Sequence, residues 1–159
     1  MSDDEAEKTS TFLVTAADEE SAVLKDVTNG QVHTLSANPG VAVDEAVEGI
    51  VSPEPPLNVS CRLVEIERQW TLSLEISDET PTAWARDVAA DQPVGELSRK
   101  ERAGEGEIHV MTVPAETTDQ AVEDVLDDRE GTLARAARLG VARVEIRSEP
   151  GTVVVRYMP

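Results

Sequence analysis

The sequence predicts an α+β protein, in which a small β-barrel of OB-like or SH3-like type is followed by a helical connector and a C-terminal β-α-α-β-β unit. The first half consists of short segments with alternating apolar residues, separated by turn residues and without a helical pattern. The second half contains amphipathic helical segments between valine-rich strands. We expect an acidic, disordered tail over 1–10, the barrel over 11–77, the connector over 78–106 and an α+β domain over 107–159.

The barrel prediction rests on six candidate strands. Asn29 and Gly30, between the second and third candidates, are typical of a tight hairpin turn in which both residues adopt positive φ. Four residues at 53–56 include three prolines and must lie outside a central strand, because proline lacks the N–H that a strand ladder needs. Five or six strands in so short a segment favour a closed or nearly closed barrel. The candidates are Thr11–Thr15, Ala22–Val27, Gln31–Leu35, Ala46–Ser52, Leu57–Ile66 and Trp70–Ile76.

The remainder of the chain alternates helical and strand patterns. Thr80 and Pro81 are typical of a helix start, and Pro93 ends or restarts the helix that follows. Gly140 is placed to end a helix in the left-handed conformation. A sheet with helices packed on one face is the simplest arrangement. The predicted elements are strand Glu107–Val113, helices Thr118–Leu126 and Thr132–Leu139, and strands Val141–Arg147 and Thr152–Tyr157.

The composition is strongly acidic, with 32 Asp and Glu against 14 Lys and Arg and a formal net charge of -18. Such a charge repels itself in dilute buffer, whereas molar salt shortens the Debye length to about 3 Å and removes most of that repulsion. Aromatic residues make up only 3% of the chain, so valine and alanine carry the core, which suits a solvent in which salt strengthens apolar burial. We predict a halophilic, cytoplasmic protein.

Several classes of protein are disfavoured by what the sequence lacks. A single cysteine, Cys61, excludes an intramolecular disulfide and a cysteine-based zinc site within one chain, and its alternating context favours a small core residue. The acidic start does not resemble a secretory signal, and no apolar run approaches the roughly 18 residues of a membrane span. We expect no membrane association, no cofactor and no metal.

Five segments resemble an uncharacterised family of short, acidic haloarchaeal proteins, a domain of unknown function. The most specific part lies in the run from 90 to 110, which contains Gly95–Leu97 (GEL) and Glu101–Val110 (ERAGEGEIHV). The resemblance spans nearly the whole chain and implies a haloarchaeal origin, while it transfers no catalytic or binding residue. The other segments are Thr11–Thr15, Gln31–Leu35 and Glu54–Leu57.

Catalytic chemistry would have to be built around the two histidines, His33 and His109, each in a predicted strand. No Gly-x-Ser-x-Gly elbow, Walker-type loop or dinucleotide fingerprint accompanies them. We therefore favour structural histidines and a non-enzymatic binding or adaptor protein. The alternatives are a small hydrolase or transferase with one histidine at an interdomain cleft, and a structural subunit of a larger complex.

The charge reverses near the C-terminus, where residues 129–159 contain six arginines and three glutamates. A four-residue turn at 148–151 would place Arg143 opposite Arg156, and such a pair repels unless an anion lies between. We predict a surface that binds RNA or an acidic protein at Arg135, Arg138, Arg143, Arg147 and Arg156, and a secondary basic spot at Arg99, Lys100 and Arg102. The alternative is that Glu145 and a nearby acidic helix neutralise these arginines within the chain.

Overall fold

The computed structural model describes residues 7–102 and 104–159 and divides into two compact units after Leu72. Most of the tail predicted over 1–10 lies outside the described residues, and its last three residues begin the first strand. The first unit contains β1 (Lys8–Ala17), β2 (Ala22–Asp26), β3 (Val32–Leu35), β4 (Glu45–Pro53) and β5 (Cys61–Thr71).

The first unit is a closed barrel with the strand order β1-β2-β3-β5-β4, which confirms the predicted small barrel. Neighbouring strands are antiparallel except β3 and β5, which are parallel and pair only between Leu35 and Cys61 within the described residues. Alternate side chains of each strand fill the interior, as the period of two requires. The buried cluster contains Phe12, Val14, Ala22, Leu24, Leu35, Val41, Val47 and Val51.

Gly49 allows β4 and β5 to approach each other closely. A Cβ atom at this position would lie 2.2 Å from the carbonyl oxygen of Glu65. The β4–β5 register shifts on both sides of this point, between Glu48 and Gly49 and between Ile50 and Val51, as expected for bulges that bend a strand around a barrel. The close approach therefore depends on the missing side chain.

The strand predicted over Trp70–Ile76 is divided between the two units. Trp70 belongs to β5, whereas the next strand, β6 (Ser73–Ile76), lies parallel to a strand of the second unit. The strand is interrupted at Leu72 because the N–H groups of two consecutive residues donate to different units. The Leu72 N–H donates to the Asp44 carbonyl at 2.8 Å, and the Ser73 N–H donates to the Ala142 carbonyl at 2.9 Å.

The second unit is a five-stranded sheet with three short α-helices in the described residues, in the strand order β6-β9-β10-β8-β7. The segment 78–106, predicted as a connector, contributes a helix and a strand to this unit. Gly140 ends the third helix with φ of 75°, as predicted. The elements after β6 are α1 (Ala83–Asp91), β7 (Leu97–Glu101), β8 (Glu107–Thr112), α2 (Thr118–Asp127), α3 (Arg129–Leu139), β9 (Arg143–Glu149) and β10 (Thr152–Met158).

Helices cover both faces of this sheet. The two helices predicted over 107–159, α2 and α3, lie on one face as predicted, and α1, from the predicted connector, covers the other. On one face α1 packs on Val110 and Val154, and on the other α2 packs on Ile146 and Val153. The central strand β10 is the reason, because its adjacent side chains Val153 and Val154 point to opposite faces and are 0% and 2% exposed. Among the described residues, no helix is long and apolar enough to cross a membrane.

Candidate functional site

The β9–β10 hairpin sets the positions of the C-terminal arginines. Glu149 pairs with Thr152, so the connecting turn has two residues, Pro150 and Gly151, and Gly151 adopts φ of 90°. The four-residue turn expected from the sequence is therefore wrong, and the register differs by two residues. Glu145, rather than Arg143, lies opposite Arg156.

Glu145 is the centre of an ion-pair network. Its Oε1 atom lies 2.5 Å from Nε of Arg147 and 3.2 Å from Nη1 of Arg156, and Nη2 of Arg147 lies 2.6 Å from a carboxylate oxygen of Glu79. Burial raises the pKa of Glu145, but the hydrogen bonds and charges of the two guanidinium groups outweigh it and hold that pKa below its usual value. Two predicted partner-binding arginines are thus engaged with carboxylates of their own chain.

The five predicted arginines do not share one surface. Arg147 and Arg156 are in register with Val154 and Ile108, on the sheet face that α1 covers. Arg135 lies on α3, and its charge acts on His109 and Tyr157 on the opposite face. Of the other two, Arg143 Nε donates to the Pro159 carbonyl at 3.3 Å, and Arg138 is exposed in the last turn of α3.

The three residues of the predicted secondary basic spot also do not share one surface. Arg99 pairs with His109 across β7 and β8, and its charge also acts on Tyr157. The next residue, Lys100, points to the α1 side, where its Nζ lies 4.6 Å from the centroid of the Trp84 ring. Arg102 donates to the carbonyl of Glu105 at 2.8 Å. Alternation along β7 therefore separates residues that are adjacent in sequence.

A cavity of about 310 Å³ lies on the α2 side of the second sheet. Its apolar surface comes from three strands and from α2. Its polar groups lie near the end of α2, at the start of α3, and on the strands β8 and β10. No lysine or arginine is among the residues that line it, although it belongs to a chain with 14 of them. The lining residues are Leu97, Met111, Ala121, Val125 and Val155, together with His109, Asp124, Asp128, Thr132 and Tyr157.

His109 and Tyr157 form the polar floor of this cavity. Their ring centroids are 5.0 Å apart with planes tilted by 53°, and His109 Nε2 lies 3.3 Å from Oε1 of Glu107. Burial lowers the pKa of His109, while the hydrogen bond with Glu107 opposes that shift. Burial also raises the pKa of Tyr157. At neutral pH both rings are uncharged and offer hydrogen bonds rather than charge.

A second cavity, of about 270 Å³, lies at the barrel seam, the gap between β3 and the segment that leads into β5. His33, at 8% exposure, places Nδ1 3.9 Å from Sγ of Cys61, and its buried Nε2 has no hydrogen-bond partner within the part of the chain described. Burial lowers the pKa of His33 and raises the pKa of the Cys61 thiol. A thiol with a raised pKa is a weaker nucleophile at neutral pH than an exposed one.

The residues 7–102 and 104–159 contain no group of three or more His, Cys, Asp or Glu that could hold a metal ion. Sequence reasoning treated the two histidines singly and did not find either cavity. The alternation in β8 and β10 could have placed His109 and Tyr157 on one face, but the pairing of these strands is not visible in the sequence.

Fold and cavities together define a mixed α+β protein with a closed five-stranded barrel and a second, helix-covered sheet. The chain belongs to a family of unknown function, DUF5812, whose family model matches residues 8–148. This confirms the predicted membership of a domain of unknown function. A search of curated proteins and a search of solved structures found no match to the chain.

Proposed function

We propose that the chain is a non-enzymatic binding protein and that its second unit binds a small apolar amine in the cavity beside α2. The observation that carries this proposal is the lining of that cavity. Five apolar side chains form its walls, and within the part of the chain that the structure describes its charged lining groups are two carboxylates, Asp124 and Asp128. A concave, mostly apolar site with a few convergent polar groups is typical of small-molecule binding.

The two carboxylates that line the cavity favour a positively charged ligand. Arg135, Glu107, Arg99 and Asp128 all act on the buried Tyr157, and the two arginines oppose a cation there. The preference for an amine therefore rests on the two carboxylates that line the cavity itself. A protonated amine there would be attracted by the carboxylates and by the negative face of the aromatic ring. A carboxylate ligand of the same shape would be repelled. The apolar part of the ligand would lie against Met111, Val125 and Val155.

A matched series of ligands tests this proposal. We expect 2-phenylethylamine to shift the NMR signals of Val125 and Val155, 2-phenylethanol to do so more weakly, and 3-phenylpropanoate not to do so. Asp128→Asn should weaken binding of the amine, and Val125→Trp should abolish it by filling the cavity. Asp127→Asn is the matched control, because Asp127 lies on the same helix outside the lining. Equal binding of the amine and the carboxylate would contradict the proposal.

The mostly apolar lining supports a binding role over the alternative of a small hydrolase or transferase. The contact between His109 and Glu107 is the feature that would favour catalysis, since a carboxylate can orient a general base. His109→Gln should leave amine binding measurable if the cavity is a binding site. A role as a structural subunit of a larger complex stays a prediction.

Binding of RNA or an acidic protein by the C-terminal arginines also stays a prediction. The exposure of Arg138 and Arg143 supports it, while the ion pairs of Arg147 and Arg156 reduce the charge available to a partner. Copurification from a high-salt lysate tests it with Arg143→Glu and Arg156→Glu together. Retention of every partner by this variant would remove the hypothesis.

We further propose that the barrel is of OB type and that the protein is a cytoplasmic protein of a halophile. The parallel contact of β3 with β5 and the strand order support an OB barrel over an SH3-like one. The formal net charge of -18 supports adaptation to salt.

A further inference from the structure

The barrel seam exposes an unpaired strand edge on β3. The Asp26 N–H donates to the Gln31 carbonyl at 2.8 Å, on the β2 side, and the Ser36 N–H donates to the Cys61 carbonyl at 3.1 Å, on the seam side. Because the direction of backbone groups alternates along an antiparallel strand, those of Val32 and Thr34 point into the seam. At the closed end of the seam, the Leu35–Cys61 bridge engages the Thr34 carbonyl with the Cys61 N–H. Within the described residues, both backbone groups of Val32 and the N–H of Thr34 have no strand registered on the seam side.

The cavity of about 270 Å³ lies along this edge. Val32, His33 and Thr34 line one side of it, and Lys8 and Gln31 also contribute, with Lys8 Nζ donating to the Gln31 side chain. Lys8 is the only charged residue among those that line the cavity, in a chain with 32 carboxylates. The opposite side consists of Val51, Pro53, Asn58, Val59 and Cys61.

The rim of the seam is apolar. Val32, Leu57 and Val59 are 61%, 76% and 80% exposed, which makes them three of the most exposed large apolar side chains described. Leu57 and Val59 continue the alternation of β5 toward the N-terminus, but Asn58 adopts a left-handed φ of 57° and its N–H donates to the Glu54 carbonyl at 2.8 Å. The sequence predicted strand here, and the chain instead forms a turn beside the open edge.

We propose that the seam binds an extended peptide segment of a partner protein, which adds a strand to β3. A polypeptide backbone matches the N–H and C=O of Val32 and the N–H of Thr34, which point into the seam two residues apart. The apolar rim requires apolar side chains at alternate positions of the peptide, and Lys8 requires a carboxylate at one end of it. The neighbouring acids Asp26 and Glu54, whose charges act on His33 and Cys61, disfavour a nucleic acid in the same place.

A pool of fluorescent hexapeptides tests this binding by anisotropy in molar salt. Its members alternate Val, Ile or Leu with Thr or Ser and end in Glu. We expect at least one member to bind, and the same peptide with N-methylated backbone amides not to bind. Val59→Asp should weaken binding by about tenfold or more, as expected for loss of an interface anchor. Lys8→Gln should weaken it less, because Lys8 is exposed and molar salt screens its charge. Val43→Asp is the matched control, because Val43 is 49% exposed in the same unit but does not line the seam.

Hydrogen exchange separates peptide binding from closure of the seam by the chain itself. The Val32 and Thr34 amides should exchange rapidly in the free protein and slowly with bound peptide. Slow exchange without peptide would show that residues 57–60 already cover the edge and would overturn the proposal. It would also be overturned if no peptide of the pool binds at millimolar concentration, or if a single-stranded RNA binds and Val59→Asp weakens that binding. Circular dichroism confirms that each variant is folded.

Discussion

Glu145 lies directly opposite Arg156 in the β9–β10 hairpin, and the same carboxylate oxygen contacts both Arg156 and Arg147. The side chains of Glu145 and Arg147 are only 14% and 12% exposed. A carboxylate between two guanidinium groups therefore replaces the repelling pair of arginines that a longer turn would have produced. Two of the C-terminal arginines, Arg147 and Arg156, therefore form ion pairs within the chain.

Removal of the Glu145 charge should destabilise the second unit. Glu145→Gln leaves two partly buried guanidinium groups without their shared carboxylate, and we expect a loss of about 1–3 kcal/mol of unfolding free energy. Glu79→Gln is the matched control, because Glu79 contacts the same Arg147 but is 71% exposed. It should cost less than about 0.5 kcal/mol. Denaturant unfolding at constant salt measures both, and equal losses would contradict the network.

Acidification should weaken both units through their buried histidines. Burial lowers the pKa of His33 and of His109 below 6.5, so the unfolded chain binds protons that the folded chain does not. Their contribution to stability is complete above pH 6.5 and is lost as the pH falls through the folded-state pKa values. Unfolding free energy measured from about pH 7.5 to 5.5 should decrease. His109→Gln and His33→Gln should each flatten this slope, and unchanged slopes in both variants would refute the assignment.

A side chain at Gly49 should be far more harmful than one at Gly131. At Gly49 the obstacle is the Glu65 backbone carbonyl, 2.2 Å from the added Cβ, and the paired strand must move. At Gly131 the nearest atoms belong to the exposed Asp128 carboxylate, which can rotate away. We expect Gly49→Ala to cost about 2 kcal/mol or more and Gly131→Ala to change stability by less than about 1 kcal/mol. Similar melting temperatures for the two variants would contradict this contrast.

Salt should stabilise the folded chain strongly. The net charge of -18 repels itself in the compact state, and screening relieves this repulsion. We expect the midpoint of thermal unfolding to rise continuously between about 0.2 M and 2 M KCl. Glu19→Gln combined with Glu20→Gln should reduce the salt requirement, because it removes two exposed like charges. A midpoint independent of KCl would remove the proposal of halophilic adaptation.

Much of the fold could be predicted because its signals are local. Alternation placed β1 to β4 to within a few residues, and Gly140 marked the end of α3. The Asn29–Gly30 turn was predicted in place, although positive φ is found at Gly30 and not at Asn29. The division at Leu72 could not be predicted, since Trp70 and Leu74 have the same alternation and differ only in which distant strands they pair with.

For the C-terminal arginines, the sequence pattern predicted the strands but not the partners across them. The sequence correctly placed Arg143, Arg147 and Arg156 in two adjacent strands, but their partners depend on whether the turn has two residues or four. Pro150 and Gly151 are compatible with either length. The difference of two residues keeps every side chain on its face and changes only its neighbour across the strands.

The sequence by itself determined the acidic surface, the strand and helix periods and most turn positions, because these depend on composition and on residues a few positions apart. Only the tertiary structure decided that β6 and β7 join the second sheet, that Glu145 lies between two arginines, and that cavities form beside α2 and at the barrel seam. Each of these features depends on strand pairing between residues far apart in the chain, and such pairing is set by the packing of the whole core rather than by local preference.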